Sequence, residues 1–482
     1  MMKRITFANH WMLRLFASLP CIGLLPHAAQ AQSQRNEERE TDPLVLKNLE
    51  EWKDLKFGFL IQWGPYSQWE VVESWSLCGE DEDWCQRKSD NYVEYVKAYE
   101  DLKKTFNPVK FDPDGWASLA KEAGMKYVVF TTKHHDGFCM YDTKLTDYKI
   151  TSKECPFHTN PNADIAKAVF NAFRKQGFKI GAYFSKPDWN SDYYWWPYFP
   201  TPDRHVNYDP KKYPERWEKF KQFTYGQIEE IVSGYGKIDI LWLDGGWVRP
   251  ASDRDLGIRY VQDIDMPKIA AMARRHQPGL IIVDRSVTGK YENYRTPEQF
   301  VPNRELPYPW ETCMSMAVNW SYRSDDVYKS TNQLIHILVD IVSKGGNFLL
   351  NLGPDANGEF HPDGVQRLKG IGQWMRVNSE AIYKTRPIAP YKEGNICFTT
   401  LKDEGTVFAI YLAEEQEKSP PPTISIKSFQ PETGAKVYML GHKEPLKWKR
   451  NGEGFLIELP PSIVRNPGSR HAWAFKITAV KK

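Results

Sequence analysis

Short apolar segments that end abruptly in polar or aromatic residues recur along the chain and constrain its fold more than any other feature. The clearest is IDILWLDGGW, in which the apolar run ends at Asp244 and is followed by Gly245 and Gly246. The run is short and rich in β-branched and aromatic residues, which favours a strand buried on both faces over a helix. Aspartate is disfavoured within strands and costly to bury unpaired, so Asp244 is either a strand-terminating turn residue or a functional carboxylate.

The same arrangement occurs in other segments, which alternate with segments typical of helices. The further predicted strand regions are KFGFLIQWG (56–64), MKYVVFTTKHHDGF (125–138), FKIGAYFSKPDW (178–189), LIIVDRS (280–286) and GNFLLNLGP (346–354). The predicted helices span 117–123, 164–176, 214–233, 266–276 and 331–343. Strands that alternate with helices predict βαβ units and a parallel sheet. Because polar residues gather at the strand ends and no nucleotide-binding glycine motif follows any strand, an α/β (β/α)₈ TIM-like barrel is favoured over a doubly wound sheet.

Four regions are predicted along the chain. Residues 1–31 have the pattern of a signal peptide, in which Lys3 and Arg4 precede an apolar stretch too short to span a bilayer and cleavage is expected near Ala31. A lipid anchor on Cys21 is a less favoured alternative. A flexible segment, 32–44, is followed by a catalytic barrel, 45–388, and short alternating strands then predict an antiparallel β-sandwich over 389–482. The mature protein is therefore expected in the periplasm or outside the cell.

The composition narrows the classes of partner. The formal net charge is +3 and charges of both signs are interspersed, so nothing indicates a nucleic-acid or polyanion partner. Aromatic residues make up 14% of the chain, including 18 tryptophans, which serve either as core or as stacking surfaces for sugars. The loop sequence YYWWPY at 193–198 is difficult to bury entirely.

Six cysteines follow the predicted signal peptide, and some can pair in an oxidising compartment. Cys78 and Cys85 are the most local candidate pair, but the sequence does not decide among the possible connectivities. The spacing lacks the paired C-x-x-C and histidine pattern of a zinc site.

Two adjacent histidines, His134 and His135, follow a predicted strand. Since successive strand side chains point to opposite sides, both can face one site only where the chain has left the regular pleat. Imidazoles donate and accept hydrogen bonds, which suits them to sugar hydroxyls, and they also bind metals. No nearby carboxylate–histidine spacing completes a metal site, so the pair indicates sugar binding or structural hydrogen bonding.

Taken together, four motifs resemble glycoside hydrolase family 29, the α-L-fucosidases. These motifs are KFGFLIQWGPYS, TTKHHDGF, LWLDGGW and SKGGNFLLNLGPDANG. The resemblance covers roughly residues 45 to 385 as the catalytic barrel, and a C-terminal sandwich is also typical of the family. It implies a retaining glycosidase that needs no metal or organic cofactor and that acts on a glycan or oligosaccharide.

The resemblance also implies the two catalytic carboxylates. The family nucleophile ends the fourth-strand motif and falls on Asp244, and the acid/base follows the fifth strand and falls on Glu298 in YRTPE. Retaining enzymes hold these two carboxyl groups about 5–5.5 Å apart, with one of them protonated near neutral pH. The competing carboxylates are Glu292, Glu305 and Glu311, of which Glu311 is more typical of a structural strand residue.

Sugar-binding residues follow from the same resemblance. His134 and His135 match the hydroxyl-binding pair of the family. The other residues implied to line a fucose pocket are Glu73, Trp75, Tyr183, Trp242, Arg285 and Trp320. Glu73 and Trp75 depend on a looser alignment, and Trp242 and Trp320 could equally serve as core packing.

One position departs from the family pattern. The first strand of family members usually ends in I-H-W-G, whereas this chain has Gln62 in place of the histidine that recognises the axial hydroxyl of fucose. Gln62 can still donate and accept hydrogen bonds. The sequence therefore predicts a secreted retaining exo-α-L-fucosidase, with two alternatives: a relative acting on α-L-galactosides or other galacto-configured pyranosides, and a catalytically silent carbohydrate-binding relative.

Overall fold

The computed structural model describes residues 39–78, 87, 89, 91–200, 203–251, 259–402 and 405–480. The predicted signal peptide, 1–31, lies outside these ranges, as does Cys85 of the predicted Cys78–Cys85 pair. The buried free thiols of the described structure include Cys139, Cys155, Cys313 and Cys397.

A parallel sheet of seven strands forms the centre of the larger region. Its strands are β1 (Phe57–Ile61), β2 (Tyr127–Lys133), β3 (Lys179–Ser185), β4 (Ile240–Asp244), β5 (Ile281–Asp284), β6 (Glu311–Ser315) and β7 (Asn347–Asn351). Their order across the sheet is β5-β4-β3-β2-β1-β7-β6, and all neighbours are parallel. The carboxyl ends of all seven strands therefore lie at one end of the sheet, where barrels of this class build their sites.

Six of these strands coincide with the predicted apolar segments, whereas β6 was indicated only by the interpretation of Glu311 as a structural strand residue. Glu311, Thr312 and Ser315 interrupt its apolar pattern, although all five residues of β6 are buried. Between β5 and β6 the chain contributes isolated bridges rather than a further strand; the bridges are Val283–Glu292, Arg295–Trp310 and Glu298–Cys313. The predicted TIM-like barrel is confirmed, but the hydrogen-bonded sheet of the described residues has seven strands rather than eight, because residues 292–298 are too irregular to form one.

Helices pack around the sheet, and Leu49 and Trp52 of the first helix share a buried cluster with Tyr183 and Trp242 of the strands. They are α1 (Pro43–Leu55), α2 (Tyr92–Glu100), α3 (Pro113–Glu122), α4 (Ile165–Lys175), α5 (Pro214–Gly234), α6 (Met266–His276), α7 (Thr331–Ser343) and α8 (Pro362–Asn378). Asp112 and Asp164 begin α3 and α4 by accepting hydrogen bonds from N–H groups of the first turn. The buried face of α4, which includes Val169 and Phe173, packs on the sheet because apolar residues recur there at helical spacing. Helix α1 begins at Pro43, just before the predicted end of the flexible segment at residue 44.

Two antiparallel sheets form the C-terminal region. Their elements are β8 (Arg386–Glu393), β9 (Ile396–Thr400), β10 (Val407–Leu412), β11 (Thr423–Ile426), β12 (Val437–Met439), β13 (Lys447–Asn451), β14 (Gly454–Glu458), α9 (Pro461–Arg465) and β15 (Ala472–Ile477). The strand orders are β12-β15-β10-β9-β8 and β11-β14-β13. Phe398 and Phe475 of the first sheet and Ile457 of the second share one buried core, as in a β-sandwich. The predicted boundary between residues 388 and 389 falls within β8.

The sandwich packs against the barrel through α7 and α8. Nδ2 of Asn332 donates to the carbonyl of Ala413 at 3.0 Å, and Nε1 of Trp374 donates to that of Ala472 at 2.9 Å. In the described part of the chain, no helix combines the length and the apolar character needed to cross a membrane.

Candidate active site

A cavity with a volume of about 830 Å³ opens at the carboxyl ends of the barrel strands. Every residue that was predicted to act on a substrate lines this cavity. The residues are Gln62, Glu73, Trp75, His134, His135, Tyr183, Trp242, Asp244, Arg285, Glu298 and Trp320. They lie within the barrel strands or on the connections that follow them, so the parallel sheet brings them together.

Asp244 is the last residue of β4, and several groups hold its carboxylate. The hydroxyl of Tyr183 donates to Oδ2 at 2.7 Å, Nη1 of Arg285 donates to Oδ1 at 3.0 Å, and Nε2 of His135 lies 3.8 Å from Oδ2. Burial alone would raise the pKa of Asp244, but the charge of Arg285 and the bond from Tyr183 help to hold that pKa well below its usual range. Asp244 is therefore ionised at neutral pH, as a nucleophile must be.

The backbone after Asp244 requires glycine. Gly245 has a φ of +90°, and a Cβ atom there would lie 2.3 Å from Cδ of Pro187. The turn that ends β4 therefore excludes a side chain at this position.

Glu298 contacts the same guanidinium as Asp244. Its Oε2 accepts a hydrogen bond from Nη2 of Arg285. It lies between β5 and β6 and is bridged to Cys313 of β6. Its side chain is 43% exposed, against 15% for Asp244. One cation thus joins two carboxylates that differ in their access to water.

Two of the competing carboxylates do not line the cavity formed by the described residues. Glu305 accepts a hydrogen bond from the hydroxyl of Tyr391 at 3.0 Å at an exposed position. Glu292 accepts one from the backbone N–H of Ser286 at 3.0 Å. Glu298 is better placed than either residue to reach a bound sugar.

Glu311 belongs to the barrel interior. It is the first residue of β6, at the end of the strand remote from the cavity, and is fully buried. The hydroxyl of Tyr127 donates to it at 2.5 Å and Nε1 of Trp242 at 3.3 Å. Burial raises the pKa of Glu311 to about 7, against the effect of these hydrogen bonds. Its contacts indicate a structural role.

Glu73 adds a third carboxyl group to the cavity and is 2% exposed. Its Oε1 has no hydrogen-bond partner among the described residues. Burial raises the pKa of Glu73 to about 8; hydrogen bonds with Ser321 oppose the shift, and the charges of Glu298 and Asp244 add to it. Glu73 is therefore protonated at neutral pH and can both donate to and accept from a sugar hydroxyl.

His134 and His135 both face the cavity because the chain departs from the regular pleat at the end of β2. The register of β2 against β3 shifts between Thr131 and Lys133. Nδ1 of His134 lies 2.5 Å from Oγ of Ser74. Burial lowers the pKa of His135 to about 4 and holds the pKa of His134 well below its usual range. Both rings are neutral near pH 7, which suits them to hydrogen bonding with hydroxyl groups.

Stacked rings form one wall of the cavity. Tyr183 stacks on Trp242 with ring centroids 5.2 Å apart, and His134 stacks on Tyr183 at 5.9 Å. The guanidinium of Arg285 lies 5.0 Å from the centroid of Trp242. Trp242 is 1% exposed and also packs in the barrel core, whereas Trp320 is partly buried and packs against that core. Trp242 thus both lines the cavity and packs in the barrel core, the two roles that the sequence left open.

Gln62 follows β1 and is held by two neighbours. Its Oε1 accepts a hydrogen bond from Oγ1 of Thr131 at 2.9 Å, and its Nε2 donates to the hydroxyl of Tyr66 at 3.3 Å. The side chain is 4% exposed and lines the cavity. A carboxamide nitrogen carries two protons, so one N–H of Gln62 remains for a substrate hydroxyl.

Within the described ranges, one group of side chains has the spacing of a metal site: the ligand atoms of His134, His135 and Asp244 lie within 4.8 Å of one another. Asp244 already accepts hydrogen bonds from Arg285 and Tyr183. A divalent cation at this position would be repelled by the guanidinium beside it. The contacts of the three residues thus fit hydrogen bonding to a sugar better than metal coordination.

Several lining residues were not predicted. They are Leu60, Val72, Arg204, His205, Gly246, Trp247, Arg249, Ser286, Cys313, Val318 and Asn319. Many lie on connections between strands and helices, where no periodic pattern marks a position; the nearest signal was Trp247, the last residue of the LWLDGGW motif. None of residues 193–198 lines the cavity, but the hydroxyl of Tyr194 accepts a hydrogen bond from Nε1 of Trp247 at 3.1 Å. The aromatic loop therefore contacts the cavity wall through Trp247, which Tyr194 helps to position.

Both regions of the chain match family models. Residues 24–380 match the model described as alpha-L-fucosidase, and residues 391–478 match the model described as alpha-L-fucosidase C-terminal domain. The first match alone covers more than half of the 482 residues.

Individual proteins and solved structures agree with these matches. Tissue alpha-L-fucosidase of Bos taurus is 30% identical over 462 residues, which cover 91% of this chain and 90% of that protein. The rat protein of the same name is 28% identical, and the alignment covers 97% of this chain and 96% of the rat protein. The structure of alpha-L-fucosidase isoenzyme 1 from Paenibacillus thiaminolyticus has a TM-score of 0.73 at 26% identity, covering 91% of this chain and all of that one. The Thermotoga maritima alpha-fucosidase solved in complex with fucose has a TM-score of 0.68 at 26% identity. The match covers 89% of this chain and 96% of that one.

Proposed function

The chain belongs to the α-L-fucosidase family, glycoside hydrolase family 29, and we propose that it is a retaining exo-α-L-fucosidase with Asp244 as nucleophile and Glu298 as acid/base. The observation that carries the proposal is the contact of Arg285 with both carboxylates in a cavity lined by the predicted sugar-binding residues. Similarity to a Thermotoga maritima enzyme that was solved with fucose supports the choice of sugar.

In the first step, Asp244 attacks the anomeric carbon of the fucosyl unit and forms a covalent glycosyl-enzyme. The hydrogen bonds from Tyr183 and Arg285 hold the carboxylate in one orientation before substrate arrives. This arrangement reduces the entropy lost in reaching the reactive geometry. The low pKa of Asp244 keeps the nucleophile ionised at neutral pH.

Glu298 gives a proton to the departing oxygen and then removes one from the water that releases fucose. In its acid role Glu298 carries a proton on one carboxyl oxygen, and its other oxygen can still accept the hydrogen bond from Arg285. Its exposure of 43% and its position outside the regular strands give it access to the departing oxygen and to the attacking water.

The remaining lining residues hold the sugar ring. His134, His135 and Gln62 offer hydrogen bonds to hydroxyl groups, and the face of a tryptophan such as Trp320 suits the apolar side of a pyranose. The presence of Asp244 and Glu298 at the same cavity argues against the catalytically silent alternative. The amide of Gln62 keeps one N–H for a substrate hydroxyl, so binding of a fucoside need not fail at this position. None of its contacts favours an α-L-galactoside over a fucoside.

The test is hydrolysis of 4-nitrophenyl α-L-fucoside beside the corresponding α-L-galactoside and β-D-galactoside. We expect the fucoside to give the highest kcat/KM, and ¹H NMR of the first product to show α-L-fucose, the retained anomer. Release of β-L-fucose would contradict the retaining mechanism, and preference for either galactoside would contradict the substrate.

We further propose that the protein is exported and cleaved near Ala31. The proposal rests on Lys3, Arg4 and the short apolar stretch that follows them. N-terminal sequencing of the protein from the periplasm or the culture medium is expected to start near Gln32. A mature protein that begins at Met1 would contradict it.

A further inference from the structure

Resting on the proposed fucosidase function, we infer that Ser74 fixes the tautomer of His134, so that Nε2 of the ring carries the proton and donates a hydrogen bond to a hydroxyl oxygen of the fucosyl unit. Ser74 is a positioning residue, because it acts on the substrate only through His134. It lies between Glu73 and Trp75, which line the cavity, but Ser74 itself is not one of the described residues that line it.

The hydroxyl group of Ser74 is fully buried and has two hydrogen-bonding contacts within the described residues. The backbone N–H of Asp136 donates to Oγ at 3.0 Å, and Nδ1 of His134 lies 2.5 Å from Oγ. Serine is often found at this position because it caps the helix that follows. Here Ser74 precedes the short 3₁₀ helix Trp75–Leu77, but its side chain makes no capping hydrogen bond. The hydroxyl group is therefore engaged by the segment that follows β2.

The direction of the contact between Ser74 and His134 follows from the positions of the protons. The backbone N–H of Asp136 can only donate, so it uses a lone pair of Oγ and leaves the hydroxyl proton to be placed. Among the described residues, Nδ1 of His134 is the one acceptor that this proton reaches. If Nδ1 carried the ring proton, a buried hydroxyl proton would have no acceptor, which is unfavourable. Ser74 therefore donates to Nδ1, and the ring proton lies on Nε2.

The ring of His134 offers this single donor to the cavity. Burial holds the pKa of His134 well below its usual range, so the ring is neutral and has one donor and one acceptor nitrogen. It stacks on Tyr183 with centroids 5.9 Å apart and lies edge-on to Tyr66 at 6.0 Å, and these contacts hold its plane. The ring lines the cavity, and Nε2 makes no hydrogen bond to the described residues. The N–H on Nε2 is therefore available to a bound sugar.

A buried network fixes the position of Ser74 before substrate binds. The hydroxyl of Tyr99 donates to Oδ2 of Asp136 at 2.8 Å and also lies 3.4 Å from the carbonyl oxygen of Glu73. Tyr99 thus joins the residue before Ser74 to the residue whose N–H donates to Oγ. Because both sides of the contact are held, His134 meets the sugar with its donor already oriented.

The first experiment determines the tautomer directly and does not depend on turnover. Long-range ¹H–¹⁵N correlation spectra of the protein labelled with ¹⁵N-histidine distinguish a ring protonated on Nε2 from one protonated on Nδ1. The signals of His134 are those that disappear in His134→Phe. We expect the proton on Nε2 in the wild type. Ser74→Ala should move the Nδ1 signal of His134 towards that of a ring nitrogen without a hydrogen bond.

Ser76→Ala is the matched control. Ser76 is 1% exposed and lies in the 3₁₀ helix that follows Ser74. Its Oγ has no hydrogen-bond partner among the described residues. The control therefore removes the same buried hydroxyl group from the same short segment without removing a contact to a histidine, and it should leave the Nδ1 signal of His134 unchanged.

The second experiment measures kcat/KM for 4-nitrophenyl α-L-fucoside and for its 2-, 3- and 4-deoxy analogues. Ser74→Ala is expected to lower kcat/KM for the parent fucoside about tenfold, because the donor of His134 is no longer held in place. For the analogue that lacks the hydroxyl bound by His134, the wild type and the variant should differ by less than about twofold. General damage to the cavity would lower kcat/KM for all four substrates alike.

Three results would overturn the inference. The first is a wild-type His134 that carries its proton on Nδ1, and the second is an Nδ1 signal that Ser74→Ala leaves unchanged. The third is a change in kcat/KM that is absent in Ser74→Ala or is equal for the parent fucoside and all three deoxy analogues. Failure of the proposed function has a different signature: the wild-type protein would not hydrolyse 4-nitrophenyl α-L-fucoside, whereas the spectra report the tautomer with or without turnover.

Discussion

Nη1 of Arg285 lies 3.0 Å from Oδ1 of Asp244, and the charge of this arginine helps to keep the aspartate ionised. The arginine follows β5 and the aspartate ends β4, so two neighbouring parallel strands bring the pair together. The second nitrogen of the same guanidinium contacts Glu298. Removal of either carboxylate should therefore affect catalysis without removing the cation that organises the site.

Asp244→Gly is expected to lower kcat on 4-nitrophenyl α-L-fucoside by several orders of magnitude, because the glycosyl-enzyme cannot form. Azide should partly restore turnover by attacking the substrate directly and give β-L-fucosyl azide, the inverted product. The anomer is identified by ¹H NMR. Retention of more than about a tenth of the wild-type rate would exclude Asp244 as the nucleophile.

Glu298→Ala is expected to slow substrates with poor leaving groups far more than activated aryl fucosides, because the latter need little protonation. Azide should again accelerate the reaction, but it now attacks the glycosyl-enzyme and gives α-L-fucosyl azide. Glu305→Ala is the matched control, since Glu305 is bonded to Tyr391 and does not line the cavity. If Glu73→Ala shows the rescue and Glu298→Ala does not, the acid/base is Glu73.

Gln62→His tests the one departure from the family pattern. Gln62 is bonded to Thr131 and Tyr66, and an imidazole there presents a ring nitrogen of different reach to the substrate. A misplaced hydrogen bond to a buried hydroxyl costs about 1–3 kcal/mol. We expect the substitution to raise kcat/KM for the α-L-fucoside, relative to its C4 epimer with an equatorial hydroxyl in place of the axial one, by roughly tenfold. An unchanged ratio would place the specificity at other lining residues.

Glu73 should make stability depend on pH. Its pKa is about 8 in the folded protein against an ordinary value of 4.5, so the unfolded chain loses this proton first as the pH rises. The contribution of Glu73 to the free energy of unfolding therefore falls between about pH 4.5 and pH 8. Glu73→Gln, which cannot ionise, removes this decline.

The measurement is urea unfolding of the wild-type protein and Glu73→Gln at about pH 5 and about pH 8. The variant should gain stability relative to the wild type at the higher pH. Glu305→Gln serves as the control, because it makes the same change of side chain at an exposed position outside the cavity. A stability difference between wild type and Glu73→Gln that is the same at both pH values contradicts the raised pKa.

The sequence by itself determined the class of fold and much of the site. Runs such as that from Ile238 to Leu243 are apolar enough to predict strands, because burial on both faces leaves little room for polar residues. The motifs around His134 and Asp244 then indicated the family. No apolar run marked strand β6, because Glu311 and its polar neighbours are buried through hydrogen bonds rather than through apolar character.

Only the tertiary structure decided which carboxyl groups lie at the cavity with Asp244 and which residues surround them. Glu298, Glu305 and Glu311 are close in sequence and chemically alike, but they lie at the cavity, at an exposed position and in the barrel interior. The contact of Arg204 with Trp75 joins residues from separate loops. Hydrophobic periodicity reports local burial, whereas hydrogen bonds, ion pairs and pKa shifts depend on groups that meet only once the chain has folded.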